Sequence, residues 1–185
     1  MPVVDIFVDS HKILHIKNHG RIDISDIQIF ATTYTIKSHI NSRNLLVLDP
    51  GIDSVSIPNG TVATKSFLRK GAPEYTIDLT KSPYSLFFHF VTEEEFLALS
   101  DEKKFKVNRT AYCLRILFRN ELTKQRQVHY LVTGAIKDFP DFWDNRFSAF
   151  GGSYEGSLKF LRIRDLIKEH QANYYQDSPA NFYKN

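Results

Sequence analysis

Cysteine and long apolar runs are scarce in this chain, and each shortage excludes a class of protein. The 185 residues include a single cysteine, Cys113, so no intramolecular disulfide can form and a zinc site built on several thiolates is excluded. The longest apolar stretches, such as 86–91, are too short to span a bilayer, and His89 interrupts that one. The first residues lack a basic segment followed by an apolar run. We therefore expect a cytoplasmic protein without a transmembrane segment and with Cys113 buried as a structural thiol.

Internal repeats, low-complexity linkers and a strong net charge are also lacking. A chain of 185 residues that is 42% hydrophobic fits one domain, 1–185, with a core of its own and a polar tail, 176–185, that frays. The net charge of +3 permits a polyanionic partner without requiring one. Aromatic residues are abundant at 14%, and such side chains fill a core, form an interface or stack on flat ligands. Composition alone leaves these three roles open.

Two alternating segments, 110–118 and 126–136, form the clearest pattern in the sequence. In each segment apolar side chains recur at every second residue, which is typical of strands with one buried face. The segment between them, 119–125, is polar and rich in turn formers, so an antiparallel hairpin is expected. The residues predicted to share a face are Tyr112, Leu114, Ile116 and Phe118 in the first strand, and Val128, Tyr130, Val132 and Ile136 in the second.

Short segments rich in β-branched residues occupy most of the chain before residue 92. Turn formers separate them, notably at 49–51 and 58–60, which both contain proline and glycine. Turns at this spacing favour a meander or a partial barrel. The predicted strands are 3–8, 12–17, 32–40, 45–48, 55–57, 61–68, 75–79 and 84–91.

Helices are predicted in two places. Thr92 starts a capping box, in which its oxygen accepts the amide of the third helical residue, so a helix is expected over 93–103. After the hairpin, 158–163 is interpreted as a last strand and Asp165 as the N-cap of a second helix over 165–175. We therefore expect a single α+β domain, built on a mainly antiparallel bent sheet or open barrel with two short helices.

Three histidines, His11, His15 and His19, recur at every fourth residue. On a helix this spacing would place them about 6 Å apart along one face, close enough to share a metal ion. The surrounding sequence predicts a strand, in which a four-residue step spans about 13 Å. We therefore predict no metal site here, and no other segment predicts a cofactor.

The chain opens with Met1-Pro2-Val3-Val4-Asp5-Ile6. This start resembles the first strand of the tautomerase family. The resemblance implies that the amine of Pro2, freed by removal of the methionine, acts as a general base, and that a long helix and a second, parallel strand follow. Residues 12–40 have an extended pattern instead, which favours a plain strand start where proline is tolerated.

Two enzyme motifs are present only in part. Pro140-Asp141 matches the start of a metal-dependent nuclease site, but no acidic residue after it is followed by lysine two positions on. The glycine-rich stretch 151–156 resembles a nucleophile elbow and a phosphate loop. It lacks a glycine two residues after Ser153 and a following Gly-Lys-Ser/Thr, so a flexible turn is the simpler interpretation.

The segment 138–156 is dense in aromatic residues and contains the single tryptophan, Trp143, together with Arg146. One interpretation is a short helix, capped by Asp138, that packs its aromatic side chains on the sheet. The alternative is a groove in which Trp143 and Tyr154 stack on a base or hold an apolar anchor.

Basic residues gather at the loop end of the hairpin. Arg119, Lys124 and Arg126 lie there, and Arg115 is expected to project from the face opposite Tyr112. A sheet that carries arginines beside exposed aromatics combines phosphate attraction with stacking, as in several nucleic-acid modules. An ordinary solvated face, balanced by nearby acidic residues, is the alternative interpretation.

Three functions are compatible with these patterns. The first hypothesis is a non-catalytic module that binds DNA or RNA. The second is a protein-interaction or assembly protein of a virus or mobile element, whose aromatics are interface anchors. The third is a metal-dependent nuclease or other hydrolase, for which no catalytic residue is singled out. The residues assigned to nucleic-acid binding are Arg115, Arg119, Lys124, Arg126, Trp143, Arg146 and Tyr154.

Overall fold

The structure of the protein is a computed structural model, which describes residues 4–42, 46–57, 61–71, 73–137 and 153–176; for Leu46 and 153–161 it describes the backbone alone. Eight strands and three helices lie within these residues. The strands are β1 (Val4–Val8), β2 (Ile13–Asn18), β3 (Ile24–Ile40), β4 (Leu46–Ser56), β5 (Ala63–Leu68), β6 (Glu74–Asp78), β7 (Thr110–Asn120) and β8 (Arg126–Gly134). The helices are α1 (Glu93–Ala98), α2 (Asp101–Arg109) and α3 (Ser153–Tyr175).

The described strands pair antiparallel and form two sheets. The small sheet has the order β1-β2-β6, and the large sheet has the order β4-β3-β7-β8. Because β3 is 17 residues long, one of its edges pairs with β5 in the first half and with β4 in the second, while β7 occupies the other edge. Among the described strands the sheet does not close into a barrel, and the expected antiparallel α+β fold is confirmed.

One face of the large sheet packs against the small sheet and forms the main core. The predicted alternation of β7 is confirmed, because its four even-numbered apolar residues from 112 to 118 are buried on this face. The small sheet contributes Leu14, Ile16 and Ile77 to the same core. The hairpin of β7 and β8 thus forms as predicted, although β8 ends at Gly134.

The opposite face of the large sheet is covered by the helices. Cys113 lies on this face, fully buried as predicted, and burial raises the pKa of its thiol to about 12. The thiol is therefore protonated at neutral pH and is a packing group rather than a nucleophile. The other buried apolar residues of this layer include Tyr34, Ile36, Phe96, Ile163 and Ile167.

The first predicted helix is present but divided in two. Thr92 forms the capping box: it accepts the Glu95 amide at 3.1 Å, and its own amide donates to the Glu95 carboxylate at 2.8 Å. Extended backbone at Leu99 and Ser100 ends α1 and starts α2, which continues to Arg109, beyond the predicted end. The break lets Phe96 of α1 be buried against the sheet while α2 runs on to the start of β7.

The prediction of a last strand at 158–163 was wrong, and so was the N-cap at Asp165. Both lie inside α3, which has 23 residues and is longer than the short helix predicted. Ile163 and Ile167, four residues apart, are buried on one side of this helix, which is the spacing of a helical stripe. No helix among the described residues is long and apolar enough to cross a membrane.

Two further local predictions were wrong. The segment 84–91 contains a 3₁₀ turn, Tyr84–Leu86, in place of a strand, and only Val91 forms a bridge, with Ile136. The turn predicted at 49–51 lies within β4, where irregular register against β3 accommodates the extra residues. Proline is tolerated there because β4 is at the edge of the sheet. The turn predicted at 58–60 lies outside the described residues.

Candidate nucleic-acid interface

Three arginines of the hairpin lie on one face of the large sheet. Arg115 and Arg119 are odd-numbered residues of β7 and project from the face opposite the main core, as predicted for Arg115. Arg126 of β8 is the register partner of Arg119 and therefore points to the same side. Arg115 lies between Phe30 of β3 and Tyr130 of β8. We call this surface, defined by Phe30, Arg115, Arg119, Arg126 and Tyr130, the arginine face.

Arg115 is held between aromatic rings. Its guanidinium carbon lies 3.9 Å from the ring centre of Tyr175, at the end of α3, and 5.4 Å from that of Phe30. A cation over an aromatic face is attracted by the ring quadrupole, more strongly where water is excluded. Only 8% of Arg115 is exposed. Its guanidinium therefore ties α3 to the sheet and adds positive charge beneath the surface, while offering little area for direct contact.

Arg119 and Lys124 share acidic partners. Arg119 lies 3.1 Å from the carboxylate of Asp26 and donates through Nε to Glu121 at 3.2 Å. Lys124 donates to the second oxygen of Glu121 at 2.6 Å, and the Ser25 hydroxyl also donates to this carboxylate. The hydrogen bonds from Lys124, Ser25 and Arg119 lower the pKa of Glu121 to about 2. Glu121 is therefore ionised at every physiological pH and neutralises part of the charge that the hairpin carries.

Arg126 is the exception among the hairpin cations. Its side chain is exposed, and it forms no ion pair with any residue that the structure describes. It borders a small surface pocket of about 10 Å³ on the loop side of the sheet. The pocket is lined by Asp26, Gln28, Leu117, Phe118, Arg119 and Arg126. An anion placed in it would meet two guanidinium groups and one carboxylate.

The last turn of α3 brings further aromatic rings to the border of the arginine face. Tyr34 Oη lies 2.8 Å from His170 Nδ1 and accepts a hydrogen bond from the Gln171 amide at 2.6 Å, which fixes the helix on the sheet. Burial raises the pKa of Tyr34 above its ordinary value, so it stays a neutral hydrogen-bonding group. His170 stacks on Tyr174, whose side chain is 57% exposed. Tyr174 is therefore a flat ring open to a ligand.

Histidines and carboxylates gather on a second surface, the outward face of the small sheet. His15 lies on β2, as predicted, with Nε2 2.9 Å from Asp9 and Nδ1 2.5 Å from Glu74. The His15 ring stacks on that of Phe7, with the two ring centres 4.7 Å apart. Lys17 Nζ lies 5.4 Å from the centre of the same Phe7 ring. We call this surface, defined by Phe7, Asp9, His15, Lys17 and Glu74, the histidine face.

The hydrogen bonds of His15 give it a structural role. Burial opposes its charge, but the bonds to Asp9 and Glu74 outweigh burial and raise its pKa above the ordinary value. The bond to His15 lowers the pKa of Glu74, and against burial it also lowers that of Asp9. Because both ring nitrogens are bound to carboxylates, neither is available as a base. In the described part of the chain no group of three histidine, cysteine or acidic side chains is placed to hold a metal ion.

The structure thus brings together four of the seven predicted site residues, Arg115, Arg119, Lys124 and Arg126. Trp143 and Arg146 lie outside the described residues, as do Pro2 and the partial nuclease motif at 140–141. Tyr154 lies in the first turn of α3, of which only the backbone is described. Sequence reasoning missed Phe30, Tyr174 and Tyr175 as neighbours of the arginines. The adjacent tyrosines at a helix end were a usable signal, but their contact with Arg115 joins residues 60 positions apart.

No protein-family model matches this chain, and no curated protein is significantly similar to it in sequence. Function is therefore argued from the geometry of the two faces.

Proposed function

We propose that the arginine face binds single-stranded nucleic acid and that the protein acts as a binding module rather than an enzyme. The observation that supports this most is the alignment of Arg115, Arg119 and Arg126 on one side of the sheet, beside aromatic rings. Arginine presents a planar fork of donors that suits phosphate oxygens. The accessible Arg126 and the half-exposed Arg119 are the groups that contact the backbone of the nucleic acid.

Charge balance supports an anionic ligand. Among the described residues, the loop end of the arginine face carries three cations, Arg119, Lys124 and Arg126, against two carboxylates, those of Asp26 and Glu121. The remaining positive charge attracts phosphates and releases counterions when they bind, so affinity should fall steeply with salt. Neutralisation by Glu121 also limits indiscriminate binding, because part of the hairpin charge is already satisfied.

Ring placement supports single strands over duplex. Tyr174 is 57% exposed at the border of the face, and Phe30 and Tyr130 are half-buried on it. Unpaired bases stack on such rings, each contact contributing roughly 1–3 kcal/mol, whereas bases inside a duplex are not available for this. Trp143, Arg146 and Tyr154 remain part of the proposed site as predicted from the sequence.

The test compares two neutralising substitutions, Arg126→Gln on the arginine face and Lys106→Gln on the exposed side of α2, which is the matched control. Binding is measured by fluorescence anisotropy of a labelled single-stranded oligonucleotide across a salt series. We expect Arg126→Gln to weaken binding several-fold and to reduce the salt slope by about 1, because one phosphate contact is lost. Lys106→Gln should match the unaltered protein. Equal affinity of all three proteins, or no binding at low salt, would contradict the proposal.

A protein partner is the second candidate, in line with an assembly protein of a virus or mobile element. The observation that favours it is Leu122 at the tip of the same hairpin, whose side chain is 72% exposed. An apolar side chain in that position suits a protein interface and contributes nothing to phosphate binding. Binding of a protein through Leu122 should be insensitive to salt and should be lost in Leu122→Ser, whereas oligonucleotide binding should not be.

A further inference from the structure

β8 is an edge strand of the large sheet. Among the described residues it pairs with β7 alone, over the nine residues from Arg126 to Gly134. The bridge between Val91 and Ile136 lies just beyond its end. An edge strand presents a row of backbone donors and acceptors that can template pairing with another strand.

The other edge strands carry features that oppose such pairing. Charged side chains, proline and irregular register are the usual protections of a sheet edge, because an added strand would desolvate the charge or lose hydrogen bonds. β4 also has register shifts against β3. The protecting residues are Asp5 in β1, Asp49, Pro50 and Asp53 in β4, Lys65 in β5, and Glu74 and Asp78 in β6.

β8 lacks this protection. From Gln127 to Gly134 it contains no aspartate, glutamate, lysine, arginine or proline. The histidine of that stretch, His129, has a pKa that is lowered by burial and by the nearby charge of Lys168, so it is neutral at neutral pH. The strand is therefore the one edge of the described sheets that is uncharged over eight consecutive residues.

We propose that β8 pairs antiparallel with β8 of a second copy of this chain, around a two-fold axis at Tyr130. Tyr130 is the middle residue of the strand, so this register overlaps the full length of both strands. A two-fold interface is self-complementary by construction, which makes a second copy the natural partner of an edge that accepts its own sequence.

The side chains of this register are compatible. Val128 faces Val132 and Gln127 faces Thr133, pairs of the apolar and polar kinds that stabilise neighbouring strands. The only charged residue, Arg126, falls opposite Gly134, which has no side chain, so no like charges meet. Joining the two edges would also pair backbone groups on the side of β8 that faces away from β7. This inference stands independently of nucleic-acid binding, although the two arginine faces would lie on the same side of the joined sheet.

The first experiment is analytical ultracentrifugation of the unaltered chain over a concentration series. We expect a species with twice the monomer mass of 21.5 kDa. A monomer at every concentration would overturn the proposal. The same result is expected if another part of the chain occupies this edge or if the edge binds a different partner.

Cysteine substitutions then locate the interface. In Tyr130→Cys the two new thiols face each other across the axis, with Cα atoms about 5 Å apart, within reach of a disulfide. In Val128→Cys, the matched control on the same strand and face, the two thiols are offset by four residues, about 13 Å along the strand, and cannot bond. We expect an oxidised dimer from Tyr130→Cys alone. A dimer that cross-links in neither variant uses another surface and would overturn the register.

A second pair of variants decides the matter if Tyr130→Cys fails to fold. Gln127→Lys places an ammonium opposite Thr133 of the second copy, whose hydroxyl accepts a hydrogen bond from the buried Lys12 at 2.8 Å. Like charges are thus brought together, and we expect the dimer fraction to fall at least tenfold. Ser66→Lys adds the same charge to the already protected edge strand β5 and should leave the dimer unchanged. An unchanged dimer in Gln127→Lys would contradict the proposal.

Discussion

The histidine face and the arginine face both combine cations, carboxylates and aromatic rings, but they differ in charge balance. On the histidine face the cations have acidic partners: His15 lies between Asp9 and Glu74, and Lys17 is 3.8 Å from Glu74. On the arginine face Arg126 has no acidic partner within the described residues. The first surface is therefore internally neutralised, whereas the second keeps positive charge for a ligand.

The difference originates in strand register. On the small sheet, Lys17 of β2 stands opposite Asp5 on one side and Glu74 on the other, an arrangement in which unlike charges stabilise the sheet. On the large sheet Arg119 stands directly opposite Arg126, and like charges in that position are destabilising. A sheet that keeps such a pair gains nothing in stability from it, which supports a role for the pair in binding.

The largest effect is expected when both arginines of the Arg119–Arg126 pair are neutralised. The double substitution Arg119→Gln with Arg126→Gln should weaken oligonucleotide binding roughly 10- to 100-fold at physiological salt, because two phosphate contacts are lost. A single neutralisation on the histidine face, Lys17→Gln, should leave the affinity unchanged. Anisotropy titrations decide this, and a loss in Lys17→Gln equal to that in the single variant Arg126→Gln would show that only net charge matters.

A smaller effect of opposite sign is expected from Glu121→Gln. This change removes the carboxylate that neutralises Arg119 and Lys124, so binding should become about threefold tighter and the salt slope steeper. The thermal midpoint should fall, because the uncharged amide has one acceptor oxygen in place of the two that now accept from Ser25 and Lys124. Weaker binding by a variant that is still folded would mean that Glu121 orders the ligand site rather than masking it.

On the histidine face, Glu74→Gln should change the pKa of His15 without changing the affinity for the oligonucleotide. Glu74 holds the proton on His15, so its loss should lower the pKa of the His15 imidazole toward the ordinary value of about 6.5. Two-dimensional NMR of the imidazole resonances measures this pKa directly. An unchanged His15 pKa would show that Asp9 alone sets it.

The smallest effect is a pH dependence of stability due to the same network. The pKa of His15 is raised on folding, so its contribution to the free energy of unfolding is complete below about pH 6.5 and is lost as the pH rises through the folded pKa. Asp9 and Glu74 have lowered pKa values, and their contribution is lost as the pH falls below about 4. In urea unfolding, His15→Gln should therefore cost more stability near about pH 5.5 than near about pH 8. The same cost at both pH values would contradict this account.

Period-two alternation in the sequence was enough to place the hairpin and its arginines. Arg115 could be assigned to the outer face because Tyr112 and Leu114 mark the inner one, and this assignment needs only the geometry of a single strand. The antiparallel α+β class followed from the same short-range signals.

Contacts between distant segments could not be predicted in this way. A register shift in β3 between Ser25 and Gln28 changes which side of the strand faces the core, and this shift positions Phe30 beside Arg115. The contact of Tyr175 with Arg115 depends on α3. Part of this helix is predicted as a strand from the sequence, because the apolar residues of 158–163 fit the two-residue repeat of a strand when that short segment is considered alone. The stripe of Ile163 and Ile167 becomes clear only when the segment is considered over several turns.

The central claim, that the arginine face is the surface that binds nucleic acid, is tested most directly by photo-crosslinking. A single-stranded oligonucleotide carrying photoreactive bases is cross-linked to the unaltered protein, and the modified peptides are identified by mass spectrometry. We expect cross-links in β7, β8 and the end of α3, around Arg126, Tyr130 and Tyr174, and a loss of these cross-links with added salt. Cross-links confined to the small sheet around Phe7 and His15, or none at low salt, would contradict the account.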